Sequence, residues 1–207
     1  MTWYNILGTG TPGKYFFMEY AYQLNLPPVK EIFRPELRDN PWKDIDGLVT
    51  VTDAEEFVDP SWLTFKELKW YKANIFKKAP GWYGPIHTDG DNTVQTWAIN
   101  WVDGAGGGME FWHSDAIESS SLEYDVGGRT DGRVKGWRHV VSRPADFVYM
   151  TPPNTAWLID VTVPHNGFNP ASSTQTRWAF SLRTDIGDKP DTFKDAVEYF
   201  SDLITNK

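Results

Sequence analysis

The stretch from Pro80 to Trp112, PGWYGPIHTDGDNTVQTWAINWVDGAGGGMEFW, decides how the rest of the chain reads, and its pivot is His87-Thr88-Asp89. Side chains two residues apart leave the same face of an extended backbone, so His87 and Asp89 can reach one metal ion if the segment bends just past a strand end. Two ligands alone hold a metal poorly. A third stands at His165, in VPHNGFNP, where Pro164 and Gly167 mark a turn or strand end. Two imidazoles and one carboxylate on one side of a metal make the facial triad of non-haem Fe(II), with the opposite positions open. The expectation is a metal centre held by His87, Asp89 and His165.

Outward from that pivot the chain reads as short strands. Thr93 to Val102 (TVQTWAINWV) is β-branched and aromatic over its length, which predicts a strand with Gln95, Trp97, Ile99 and Trp101 on one face and Thr96, Ala98 and Asn100 on the other. Upstream, a short helix around Asp53 to Phe57 and a turn at Asp59 to Trp62 lead into a strand from Leu68 to Phe76. Downstream, Gly104 to Gly108 turns the chain into a strand from Met109 to Trp112. Further strands are expected at Arg138 to Ser142, Asp146 to Met150, Ala156 to Val161 and Arg177 to Arg183. The polar, glycine-rich segment from His113 to Arg138 is too long for a plain hairpin and is expected to be a lid or substrate loop, with Arg129, Arg133 and Arg138 as contacts for an anionic substrate.

Two helices are expected at the ends. Tyr15 to Leu24 (YFFMEYAYQL) reads as helical. In DTFKDAVEYFSDLI, Asp191 is placed to cap a helix whose apolar face carries Phe193, Ala196, Val197, Phe200, Leu203 and Ile204. Many short strands flanked by helices predict a mainly β, jelly-roll or cupin-like barrel in one domain of 207 residues. The barrel core is expected at about 68–185, after an extension at 1–67 and before a helix at 191–205.

Composition narrows the classes. A formal charge of −8 and a pI near 5.0 argue against a nucleic-acid backbone as partner. With no cysteine in the chain, any metal must be held by nitrogen and oxygen ligands. The first residues lack a basic stretch followed by an apolar run, and no segment has the length needed to span a bilayer. A cytoplasmic protein with no membrane partner is therefore expected, its oligomeric state open.

The distal histidine is followed on a strand by Arg177, in TRWAFSLR, and by Arg183 six residues later on the same predicted face. Arginine offers a planar two-pronged donor for a carboxylate. The order His-x-Asp, distal His, then Arg resembles the 2-oxoglutarate- and Fe(II)-dependent oxygenases, whose fold is a double-stranded β-helix. The resemblance covers roughly residues 68–183. ANIFKKAPGWYGPIHTD is similar to the approach strand of the prolyl 4-hydroxylase-like branch, GGGMEFW to the family's Gly-Gly-Glu-type strand, and SRPADFVYM to the strand before the distal histidine.

The resemblance implies Fe(II) on His87, Asp89 and His165 and 2-oxoglutarate anchored by Arg177, with Arg183 beside it. O2 would be the oxidant, and a small-molecule or peptide substrate would be hydroxylated with release of succinate and CO2. Asp89 favours hydroxylation, since related halogenases lack that carboxylate. Ala179 stands where relatives often carry serine or threonine, which leaves the second co-substrate contact unassigned.

Other readings stay open. The histidines are incidental in a non-catalytic jelly-roll binding or viral structural module, and a hydrolase would use a different divalent metal at the same place. His113 is the substitute third ligand. Trp97, Trp101 and Trp157 read as core, with one of them available to line a pocket, and Asn100 and Tyr149 are available to bond a co-substrate.

Overall fold

The computed structural model describes residues 20–45, 49–89, 96–123, 136–184 and 190–205. Among these residues twelve strands form two antiparallel sheets. In chain order these are β1 (Ala21–Leu24), β2 (Val49–Asp53), β3 (Trp70–Lys78), β4 (His87–Thr88), β5 (Trp97–Gly104), β6 (Gly107–Phe111), β7 (Ile117–Glu123), β8 (Gly136–Val141), β9 (Phe147–Thr151), β10 (Thr155–Asp160), β11 (His165–Phe168) and β12 (Arg177–Thr184). Two α-helices are described, α1 (Val29–Ile32) and α2 (Phe193–Tyr199).

One sheet runs β1-β10-β5-β12-β3-β2 and the other β7-β8-β4-β11-β6-β9. With the flanking β1, β2, β7 and β8 set aside, successive strands β3, β4, β5 and β6 fall alternately in the two sheets, and β9 to β12 return beside them in reverse. That interleaving is a jelly-roll barrel, as expected from the sequence. Tyr15 to Leu24 is corrected at its described end: Ala21–Leu24 is a strand, paired along its length with β10. An apolar segment this short carries no decisive period, and the open edge of β10 decides its form. The rest of that expected helix lies outside the described residues.

β5 shows how one strand serves two cores. Trp97, Ile99 and Trp101 face outward into a cluster with Ile75, Phe180 and Leu158, covered by Phe33, Ala196 and Phe200. Ala98 and Val102 face into the barrel, beside Met109, Phe111, Tyr149 and Trp157. The alternation predicted for residues 96–102 is the alternation found, and both faces are buried because the N-terminal segments and α2 cover the outside of the sheet.

α2 is shorter than its sequence suggests. Thr192, not Asp191, is its N-cap, in a capping box with Asp195. The chain leaves the helix after Tyr199 because its backbone finds partners on the sheet edge: Asn25 N–H donates to Leu203 O at 2.7 Å, and Thr205 N–H to Gln23 O at 3.0 Å. The apolar face is as predicted, since Phe193, Ala196, Val197, Phe200, Leu203 and Ile204 all join the outer cluster.

The segment from His113 to Arg138 is also corrected in part. A short 3-10 turn at Ser114–Ala116 is followed by β7, which pairs with β8 as an edge hairpin. β7 (IESSSLE) is an edge strand with exposed serines, so it has no apolar alternation to betray it. Residues 124–135, including Arg129 and Arg133, lie outside the described residues.

Candidate metal centre

His87 opens β4 and His165 opens β11, and the two are direct partners across the antiparallel ladder. Direct partners hold their side chains on one face, so the imidazoles meet, with ring centroids 4.5 Å apart. Asp89 follows β4 as the chain bends away, its N–H donating to Val161 O at 2.9 Å. The bend turns its carboxylate back, and Asp89 Oδ1 lies 3.4 Å from His87 Nε2. One nitrogen or oxygen of each of the three residues falls within 4.8 Å of the others. The expected ligands, distant in sequence, converge.

The rings are also oriented for a metal. His87 Nδ1 lies 2.9 Å from Pro85 O and His165 Nδ1 2.8 Å from Val163 O. A carbonyl only accepts, so each Nδ1 carries a proton and Nε2 is the nitrogen each ring turns toward the cluster. Burial, with His87 alongside, brings His165 down to about 3, so it is neutral. Burial is the largest single influence on His87 and lowers it too, but the bond and charge of Asp89 together with the bond to Pro85 O outweigh it, and the net direction is upward. Arg183 donates through Nη2 to Asp89 Oδ2. Although burial works against the charge, Arg183 and His87 hold the Asp89 carboxyl far below its usual range. Two nitrogens and one anionic oxygen on one side of a point suit a divalent first-row cation with open positions.

The three residues line one wall of a cavity of about 350 Å³ that extends between the sheets. Arg177 and Lys78 line it as well, from β12 and the end of β3. Arg177 is 1% exposed; its Nη2 donates to Thr151 Oγ1 at 3.0 Å, while Nε and Nη1 have no partner among the described residues. Burial lowers its guanidinium to about 10. Ser181 Oγ, Asn100 Oδ1 and two nitrogens of Arg183 are likewise buried without partners around the same space. Unanswered polar atoms around a cavity call for water or a polar ligand to complete them.

The other sequence candidates divide. Asn100 lines the cavity; Tyr149 lies in the barrel core. His113 is held away from the site by Tyr20, whose hydroxyl lies 2.8 Å from His113 Nδ1. His139 bonds Thr88 and Ser120. Trp97, Trp101 and Trp157 pack in the two cores. The tryptophans that do line the cavity are Trp82 and Trp137, and Arg138 lies beside Trp137. Lys78 was missed because the strand expected at Leu68 to Phe76 stops two residues short of it. The alternation of WYKANIFKK, extended to its end, puts Lys78 on the face of Phe76 and Asn74.

No family model and no curated protein matches the sequence. Among solved structures, oxalate oxidase in complex with the substrate analogue glycolate aligns at 15% identity over 66% of this chain and 50% of its own, with a TM-score of 0.36. Oxalate decarboxylase of Bacillus subtilis, described with Mn(II) centres, aligns at 13% identity over 79% of this chain and 37% of its own, also with a TM-score of 0.36. A cupin 2 domain-containing protein from Halorhodospira halophila aligns at 13% identity over 89% of this chain and 90% of its own, with a TM-score of 0.35. The chain thus spans half the length or less of the first two. Likenesses this faint carry no argument about activity, and the jelly-roll assignment rests on the strand order.

Proposed function

We propose that the protein is an Fe(II)- and 2-oxoglutarate-dependent dioxygenase that hydroxylates a small molecule or a peptide. The observation that carries this reading is the meeting, in one cavity, of a His-Asp-His cluster with a buried arginine that has no anionic partner among the described residues. Iron bound at His87, Asp89 and His165 would supply open positions for the 2-oxo acid and for O2, so that one oxygen atom goes into succinate as CO2 leaves and the other into substrate.

The chain's own groups do the rest. Pro85 O and Val163 O fix the two imidazoles with Nε2 toward the ion. Arg183 holds one Asp89 oxygen and leaves the other facing His87. Arg177, buried and with idle donors among the described residues, receives an oxygen of the far carboxylate of the co-substrate in a charge-assisted bond. Substrate would enter past Trp137, which is 38% exposed at the cavity wall. The charge of −8 disfavours a nucleic-acid substrate.

The test is oxygen uptake with Fe(II), with and without 2-oxoglutarate, together with succinate release. Consumption that requires 2-oxoglutarate and yields succinate one for one with O2 is expected, at a slow uncoupled rate without substrate. Metal retention with no co-substrate binding would move the protein to the binding-module reading.

A further inference from the structure

Lys78 closes β3 and Arg177 opens β12, and the two are direct partners across the antiparallel ladder. Partners in such a ladder share one face at about 5 Å, and like charges placed so repel. Here both cations are buried, Lys78 at 8% and Arg177 at 1% exposure, where water screens them little. Among the described residues no carboxylate is paired with either.

Lys78 sits in a built recess. Its Nζ lies over the ring of Trp82, 4.8 Å from the centroid, and 5.7 Å from that of Phe76. A Cβ on Gly167 would stand 2.3 Å from this Nζ, and a Cβ on Gly107 would stand 2.7 Å from Arg177 Cδ. Glycine at these two positions is what admits both cations. Burial first, and then the neighbouring Arg177, push the Lys78 ammonium well below its ordinary range, as is expected of a cation that lacks its counter-ion.

A buried pair of like charges is tolerated where a ligand supplies the opposite charge. We infer that Lys78 is a second anchor for the far carboxylate of the co-substrate, its ammonium taking one oxygen while Arg177 takes the other. Lys78 then fills the co-substrate contact that Ala179 leaves open and sets the preference for a 2-oxo dicarboxylate over a 2-oxo monocarboxylate. This rests on the reading of the cavity as a 2-oxoglutarate site.

The test is calorimetric titration of 2-oxoglutarate and of 2-oxopentanoate, which has the same chain length without the far carboxylate, into protein loaded with redox-inert Mn(II). Wild type, Lys78→Met and Arg177→Met are compared, with thermal unfolding as the check on folding. Wild type is expected to prefer the dicarboxylate, and Lys78→Met to lose about tenfold in 2-oxoglutarate affinity while binding 2-oxopentanoate as before. A Lys78→Met preference equal to wild type, with Arg177→Met abolishing it, overturns the role of Lys78 and leaves the 2-oxoglutarate reading standing. No preference in wild type overturns both. Should Lys78→Met fail to fold, Gly167→Ala, whose methyl displaces the ammonium, replaces it with the same expected loss, and an unchanged preference there overturns the role equally.

Discussion

β12 has two faces, and they are built for different work. Outward, Phe180 and Leu182 are sealed into the outer core, Phe180 meets Phe33 edge-on at 4.8 Å, and Trp178 stacks on Trp42 at 5.1 Å. Inward, Arg177, Ala179, Ser181 and Arg183 line the cavity, and five of their polar atoms are buried without a partner among the described residues: Nε and Nη1 of each arginine and Ser181 Oγ. A face with every contact made contributes stability. A face with contacts left over is organised for something that binds. The strand's period of two lets one segment carry both sets with no compromise between them.

Substitutions along this one strand separate the two roles. Phe180→Ala should cost about 3–5 kcal/mol in unfolding free energy, read from denaturant melts, because the surrounding aromatics cannot close the hole. Ser181→Ala, its neighbour on the other face, should change stability by less than about 0.5 kcal/mol. A comparable loss at both would break the contrast. Next in size, Arg177→Met should weaken 2-oxoglutarate binding about a hundredfold while leaving the melting temperature unchanged or higher, since it removes a buried cation with no counter-ion among the described residues. Arg183→Met should reduce metal affinity about 10–100-fold, measured by competition with a chelator, by freeing the Asp89 carboxylate to turn away. Far from both faces, Thr192→Ala removes the capping box of α2 and should cost about 1 kcal/mol.

What could be read from the sequence followed the same division. The alternation in TVQTWAINWV and in RWAFSLR is written by core packing, so the strands, their faces and the arginine side of β12 were legible. The candidate cluster was legible too, since His87, Asp89 and His165, named from the sequence, are the three residues the structure brings within 4.8 Å of one another. β1 and β7 were not, since both are edge strands: one is too short to show a period and the other too polar. Lys78, Trp82 and Trp137 were not either. A lysine at a strand end and tryptophans beside turns look like surface or core until the fold brings them to one cavity.

The most direct measurement is an anaerobic titration of Fe(II) into purified protein with 2-oxoglutarate, followed by the weak metal-to-ligand charge-transfer band in the visible, in wild type and in His87→Ala. The band should appear only when protein, Fe(II) and 2-oxoglutarate are all present, and should vanish in the variant. No band in wild type, or an equal band in His87→Ala, would contradict a co-substrate chelated to iron at this His-Asp-His site.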